Sequence, residues 1–143
     1  MVTTVAFLIA RALWWEGPAY VIAIGVLLGQ LIVGWTNDLH DYADDLKHNR
    51  TAKPLVSGLI TTKQLRTAIF VVLPMAVIVN LFGPLGLKGG AVYLLGIGFG
   101  LAYNFYFKFT ALSPLPYVIA FAALPASIVI AVDKTPPLWL MAA

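Results

Sequence analysis

The chain has 143 residues, of which 61% are hydrophobic and only 10% are charged, and its mean hydropathy is +0.91. Soluble domains carry about 25% charged residues, so this composition excludes an ordinary soluble domain and indicates a membrane protein. The sequence contains no cysteine, which excludes disulfides and thiolate metal sites. A net charge of +3 does not indicate a nucleic-acid partner, because the basic residues lie between apolar stretches, as membrane topology requires.

Four stretches are apolar enough to cross a bilayer as helices, which takes about 20 residues each. They are residues 18–36, 65–87, 89–107 and 115–132. The apolar ends, residues 1–15 and 136–143, are too short to span and predict a partial helix at each end. The sequence therefore predicts an all-α, polytopic transmembrane helix bundle that forms one domain over residues 1–143.

Basic residues are distributed unequally between the two ends of these spans. If residues 83–90 form a turn, six basic residues fall at one end and two at the other, and positive residues favour the cytoplasmic side. The first set is Lys47, Arg50, Lys53, Lys63, Arg66 and Lys108, and the second is Lys88 and Lys134. This topology predicts that the acidic residues after the first span face the cytoplasm.

Residues 37–45 (NDLHDYADD) continue the first span and hold four of the six acidic residues. At about 100° per residue, Asn37 and the four aspartates fall on one helical stripe roughly 120° wide. Stacked carboxylates repel one another, so the stripe predicts a bound cation. Mg²⁺ prefers carboxylate, water and phosphate oxygens, and nearby Arg50 and Lys53 suit phosphate oxygens. The pattern favours a magnesium site that takes a diphosphate ester.

Two other interpretations of this stretch remain open. A charged run after a membrane helix often forms a solvated loop with no ligand. His40 and His48 lie within or beside the run, but neutral imidazole is a poor Mg²⁺ ligand, and a zinc site here is disfavoured.

The spacing Asn37-Asp38-x-x-Asp41-x-x-x-Asp45 resembles the first Asp-rich motif, ND-x-x-D-x-x-x-D, of the UbiA-type intramembrane prenyltransferases. Residues 49–58 (NRTAKPLVSG) resemble the N-R-x-x-R-P-L-x-S-G that follows it in the family, with lysine at position 53 in place of the usual arginine. The later segment with Tyr103 and Lys108 resembles a third cytoplasmic stretch, although the family's following Gly-Asn is not evident.

This resemblance implies Mg²⁺-dependent transfer of a prenyl group from a polyprenyl diphosphate to a small acceptor, often aromatic, within the bilayer. By the same resemblance, the magnesium ligands are Asn37, Asp38, Asp41 and Asp45. The diphosphate-binding residues are Arg50, Lys53, Lys108 and Tyr103, and the catalytic residues are Asp41, Asp45 and Lys108. Tyr103 would also shield an allylic cation, and an interfacial aromatic with no such role is the equal alternative.

Family enzymes carry a second Asp-rich motif, whereas the only acid after Asp45 in this sequence is Asp133. We therefore expect an incomplete N-terminal half that is inactive by itself. The main alternative is a non-catalytic membrane module or a subunit that pairs with another chain. A cation transporter is disfavoured because the acids lie at a helix end, and a CDP-alcohol phosphotransferase is disfavoured because its D-G-x-x-A-R start is absent.

Overall fold

A computed structural model describes residues 1–13 and 18–132 of the chain. In this part the chain forms helices only, which confirms the predicted all-α class. They are α1 (Val2–Leu13), α2 (Ala19–Lys47), α3 (Thr62–Phe82), α4 (Gly86–Ala102) with a π-helical continuation (Tyr103–Phe107), and α5 (Pro114–Ala131).

The number of spanning helices agrees with the sequence prediction. In the described ranges four helices are long and apolar enough to cross a membrane, namely α2, α3, α4 with its π-helical continuation, and α5. Large apolar side chains on their outer faces, such as Phe70, Phe82 and Leu95, are well exposed and suit contact with lipid. The short α1 matches the partial helix expected at the N-terminal end. The partial helix expected at residues 136–143 lies outside the described residues, as do Glu16, Asp133 and Lys134.

Helix α2 is longer than the predicted span of residues 18–36. Its 29 residues make a helix about 43 Å long, whereas the hydrocarbon core is about 30 Å thick. The additional residues are the Asp-rich stretch, which is helical to Lys47 and extends α2 beyond its apolar part. Asn49, with a φ of 49°, then turns the chain back toward this helix end.

The turn between α3 and α4 is shorter than predicted. Helix α3 ends at Phe82 and α4 begins at Gly86, so the predicted span limits at residues 87 and 89 are wrong. Gly86 adopts a φ of 63°, which glycine allows and which permits the tight turn. Gly89 and Gly90 are helical, and their lack of a side chain lets α4 lie close to the backbones of α5 and α3, respectively.

Gly96 and Gly100, which lie four positions apart in α4, pack against two different helices. A Cβ on Gly96 would lie 2.8 Å from the Cβ of Ala123 in α5. A Cβ on Gly100 would lie 3.3 Å from a methyl group of Val33 in α2. Both glycines therefore permit close helix packing, as small residues do at membrane helix interfaces.

Polar side chains from two neighbouring helices attach to the backbone of α2. Buried Asn80 of α3 donates from Nδ2 to the Gly25 carbonyl oxygen at 3.1 Å. Buried Tyr93 of α4 donates its hydroxyl to the Val26 carbonyl oxygen at 2.9 Å. In a bilayer such groups must find partners within the protein, so these bonds fix α3 and α4 against α2.

Tyr93→Phe should therefore lower the free energy of unfolding by about 0.5 to 1 kcal/mol, the usual size of a hydrogen bond between membrane helices. The ring stays in place, so the loss reports the hydroxyl alone. Titration of the chain from mild detergent into SDS would measure it. Tyr20→Phe is the control, because Tyr20 is 71% exposed. Equal stability of the two variants would contradict the role assigned to the Tyr93 hydroxyl.

Candidate functional site

Three segments converge at one end of the bundle: the C-terminal part of α2, the connection of residues 48–61, and the turn after α4. Lys108 in that turn reaches Asn37 on α2, with 3.0 Å between Nζ and Oδ1. The connection between α2 and α3 and the turn between α4 and α5 therefore lie at the same end of the bundle, as the alternation of spans predicts.

Asp45 is the centre of the first part of this site. Its side chain is only 1% exposed, although it carries a carboxylate. Arg50 Nη1 donates to Oδ1 at 2.8 Å, and Lys53 Nζ lies 2.7 Å from Oδ2. The turn at Asn49 makes this possible, because it brings the Arg50 backbone N–H back to the Asp45 carbonyl oxygen at 3.0 Å.

Lys53 bridges two of the predicted ligands. Its ammonium lies 2.7 Å from Asp45 and 2.9 Å from an oxygen of Asp38. Burial by itself would favour the neutral amine, but the contacts with Asp45 and Asp38 outweigh burial and raise the pKa of Lys53 above its usual value. Lys53 is therefore charged at neutral pH and neutralises part of the acidic stripe.

Lys108 bridges the other two predicted ligands, Asn37 and Asp41. It donates to Asn37 Oδ1 and forms a short ion pair with the Asp41 carboxylate. The π-helical turn before it is anchored by buried Asn104, whose Nδ2 donates to the Val33 carbonyl oxygen of α2 at 2.9 Å. Such turns are often found at functional sites, and this one directs Lys108 toward α2.

The structure divides the predicted four-ligand set into two pairs, Asn37 with Asp41 and Asp38 with Asp45. Asp44, which the helical wheel placed on the same stripe, instead lies outside it with its side chain 61% exposed. His48 is similarly exposed beside Asp44. His40 lies at the edge of the site, with Nδ1 3.4 Å from an oxygen of Asp41.

The charges of this cluster balance without any added ion. Three carboxylates, Asp38, Asp41 and Asp45, are paired with three basic side chains, Arg50, Lys53 and Lys108. Lysine and arginine side chains of the same chain therefore supply the compensating charge, so repulsion among the carboxylates does not by itself require a bound cation.

The donor set nevertheless suits magnesium. In the described part of the chain no three acidic or histidine side chains converge as a metal site. However, Mg²⁺ commonly takes only one or two carboxylates and completes its shell with water and phosphate oxygens. Each pair offers two amide or carboxylate oxygens, and each already holds a positively charged ammonium between them. The residues therefore fit a hard cation that shares its shell with a phosphate ligand.

A cavity of about 200 Å³ lies between α2, α4 with its π-helical continuation, and α5, and Val2 of α1 also lines it. Val33 and Asn104 line it, and each stands four positions before a residue of the charged cluster, Asn37 and Lys108. Most of the wall is apolar or aromatic, with Tyr93, Tyr103, Tyr117 and Phe121 among its residues. The apolar cavity thus begins about one helical turn from the carboxylates and ammonium groups of the cluster.

Tyr103 belongs to the wall of this cavity. Its ring packs edge to face against Tyr117, with centroids 4.3 Å apart, and Tyr117 stacks on Phe121 at 5.8 Å. The sequence reasoning missed Tyr117, Phe121 and Asn104. The aromatic pair occupies positions i and i+4 of α5, a spacing that marks one helix face, and Asn104 is the single amide in the third predicted span.

The described helices are long and apolar enough to span a membrane, and the charged cluster lies at one end of their bundle. The chain is therefore an integral membrane protein. The chain belongs to the UbiA prenyltransferase family, which matches residues 1–143. This match confirms the resemblance drawn from the motifs. No curated protein and no solved structure matches the chain significantly.

Proposed function

We propose that this chain forms the donor-binding part of an intramembrane prenyltransferase, which transfers a prenyl group from a polyprenyl diphosphate to a small aromatic acceptor. Family membership supports a prenyl diphosphate substrate and a lipid environment. The observation that carries the proposal is that the cavity begins about one helical turn from the charged cluster. Such a donor has a highly charged head and an apolar tail, and the charged cluster adjoins an aromatic cavity.

In this proposal the Asn37–Asp41 and Asp38–Asp45 pairs hold Mg²⁺ together with the diphosphate. When bound, the metal supplies positive charge that stabilises the leaving diphosphate. Arg50 is suited to the phosphate oxygens because its side chain is 53% exposed and its guanidinium has further N–H groups besides the one on Asp45.

Lys53 and Lys108 lie at the proposed diphosphate site, where negative charge would develop on the leaving group. Preorganised positive charge in a poorly solvated site stabilises a departing anion strongly. Asp41 and Asp45 would bind the metal and Lys108 would contact the diphosphate, and we assign Asp41, Asp45 and Lys108 as catalytic on this basis. The faces of Tyr103 and Tyr117 would stabilise an allylic cation through their π electrons.

The cavity is smaller than most ligand pockets, which measure roughly 300 to 1,000 Å³. We propose that it holds the reacting end of the prenyl chain and that the rest of the tail contacts lipid between the helices. The excess of basic residues at this end supports a site on the cytoplasmic side of the membrane.

The 143 residues contain one Asp-rich motif and no second one. We therefore expect donor binding by this chain but little prenyl transfer by it alone. Binding without transfer also suits the alternative of a module that pairs with another chain, and transfer by the purified chain would refute the expectation of inactivity.

The proposed site is tested by comparing two aspartates of one helix. Asp41→Asn should weaken Mg²⁺-dependent binding of geranylgeranyl diphosphate at least tenfold, because loss of a metal ligand or its orienting partner typically costs about 10- to 100-fold. Asp44→Asn is the matched control, because that side chain is 61% exposed and outside the cluster. Calorimetric titrations with magnesium and with EDTA would measure both. Equal binding by the two variants would refute the ligand assignment.

A further inference from the structure

Each lysine of the cluster occupies a pair of proposed metal ligands. Lys108 contacts the oxygens of Asn37 and Asp41. Lys53 lies 2.9 Å from Asp38 and 2.7 Å from Asp45. All four proposed ligands are therefore paired with ammonium groups of the same chain.

A metal and these lysines need the same oxygens. Mg²⁺ requires close and nearly ideal coordination, so a lysine on a ligand pair must withdraw before that pair can bind a metal. Withdrawal would leave an ammonium without its partners in a partly buried site, since the side chains of Lys53 and Lys108 are 29% and 22% exposed. An unpaired charge there is costly, so metal alone should bind weakly.

A diphosphate removes this cost, because its oxygens offer the displaced ammonium groups new anionic partners. Lysine suits such an exchange, since its point charge sits on a flexible four-carbon stem, whereas arginine is a rigid planar fork. Both residues that bridge ligand pairs in this chain, Lys53 and Lys108, are lysines.

We propose that Lys53 and Lys108 are internal counter-ions that compete with the metal for the acidic stripe and move to the diphosphate, so that metal and diphosphate bind cooperatively. This inference rests on the proposed function, and it adds an order of preference: the metal–diphosphate complex binds well and the free metal binds poorly. Coupling of two ligands is reciprocal, and it commonly changes affinity by about 5- to 150-fold.

The test compares free Mn²⁺ with the preformed Mn²⁺–pyrophosphate complex, each titrated into the purified 143-residue chain in detergent and followed by electron paramagnetic resonance. Lys53→Gln and Lys108→Gln should bind free Mn²⁺ about tenfold more tightly and the complex about tenfold more weakly than the unmodified chain. Opposite shifts are diagnostic, because a residue with only a structural role would weaken both when removed.

Lys63→Gln is the matched control, because this exposed lysine at the start of α3 is replaced with the same loss of charge. Both of its affinities should stay within about twofold of those of the unmodified chain, as expected for a screened surface charge. Lys53→Arg and Lys108→Arg retain the charge and should restore weak binding of free metal.

Two results would overturn the inference and are distinct from each other. If the complex binds but free Mn²⁺ binds no better to the glutamine variants, the lysines do not compete with metal and the proposed function stands. If neither free metal nor the complex binds to any variant or to the unmodified chain, the metal–diphosphate site itself is refuted, and the inference with it.

Discussion

Replacing Asp45 with alanine should lower the free energy of unfolding by about 2 to 3 kcal/mol. Removing one member of a buried ion pair typically costs about 3 to 5 kcal/mol, and here the carboxylate is 1% exposed and holds both Arg50 and Lys53. The expected cost is lower because Arg50 is 53% exposed, and water screens such a charge. SDS titration followed by circular dichroism would measure the change.

Asp44→Ala provides the control, since it removes an aspartate next in sequence whose side chain is 61% exposed. Surface substitutions of this kind usually change stability by less than about 0.5 kcal/mol. If the two alanine variants lose equal free energy of unfolding, the cause is the removal of any negative charge from this end of α2. That result would contradict the assignment of Asp45 as the residue that holds the connection of residues 48–61 against α2.

Gly90→Ala should separate α3 from α4. An added Cβ would overlap the Asn80 carbonyl oxygen and would lie 2.6 Å from its carbonyl carbon and 3.0 Å from the Leu81 Cα. These are backbone atoms, which cannot rotate away as a side chain would. Overpacking of this kind costs about 1 to 3 kcal/mol, and the shift should also weaken the hydrogen bond of Asn80 to α2.

Gly98→Ala in the same helix is the matched control, because nothing lies within 4 Å of a Cβ there. Alanine favours helix over glycine by up to about 1 kcal/mol, so this variant should be neutral or slightly stabilised. The difference between the two variants in SDS titration isolates the α3–α4 contact. Similar stabilities would mean that the two helices are not packed as closely as the structure places them.

The sequence was sufficient to predict features that depend on local patterns. Apolar length predicted the spanning helices, and the spacing of residues 37–45 predicted that the acids continue the helix. Helix ends were less accurate near Gly86, because Gly89 and Gly90 resemble turn residues in sequence but serve close packing in the structure. A pattern along one helix does not show which neighbour will fill the space beside it.

Contacts between residues far apart in the sequence could not be predicted from local patterns. The pairing of Lys108 with Asp41 spans 67 positions, and the wall formed by Tyr117 and Phe121 depends on how α5 packs against α4 and α2. The helical wheel also placed Asp44 with the other aspartates, because a wheel does not show which edge of the helix the following chain will cover. Residues 48–61 cover Asp45 and leave Asp44 exposed.

In the proposed function, the charged cluster and the aromatic cavity bind the two ends of one ligand. The most direct measurement is photo-crosslinking with a prenyl diphosphate that carries a photoreactive group on the carbon chain near the diphosphate, followed by peptide mapping. With Mg²⁺ present, we expect labels on cavity residues such as Tyr117 and Phe121 that disappear with EDTA and with excess pyrophosphate. Labels that are unaffected by EDTA, or that fall mainly on lipid-facing residues such as Phe70, which is 80% exposed, would contradict it.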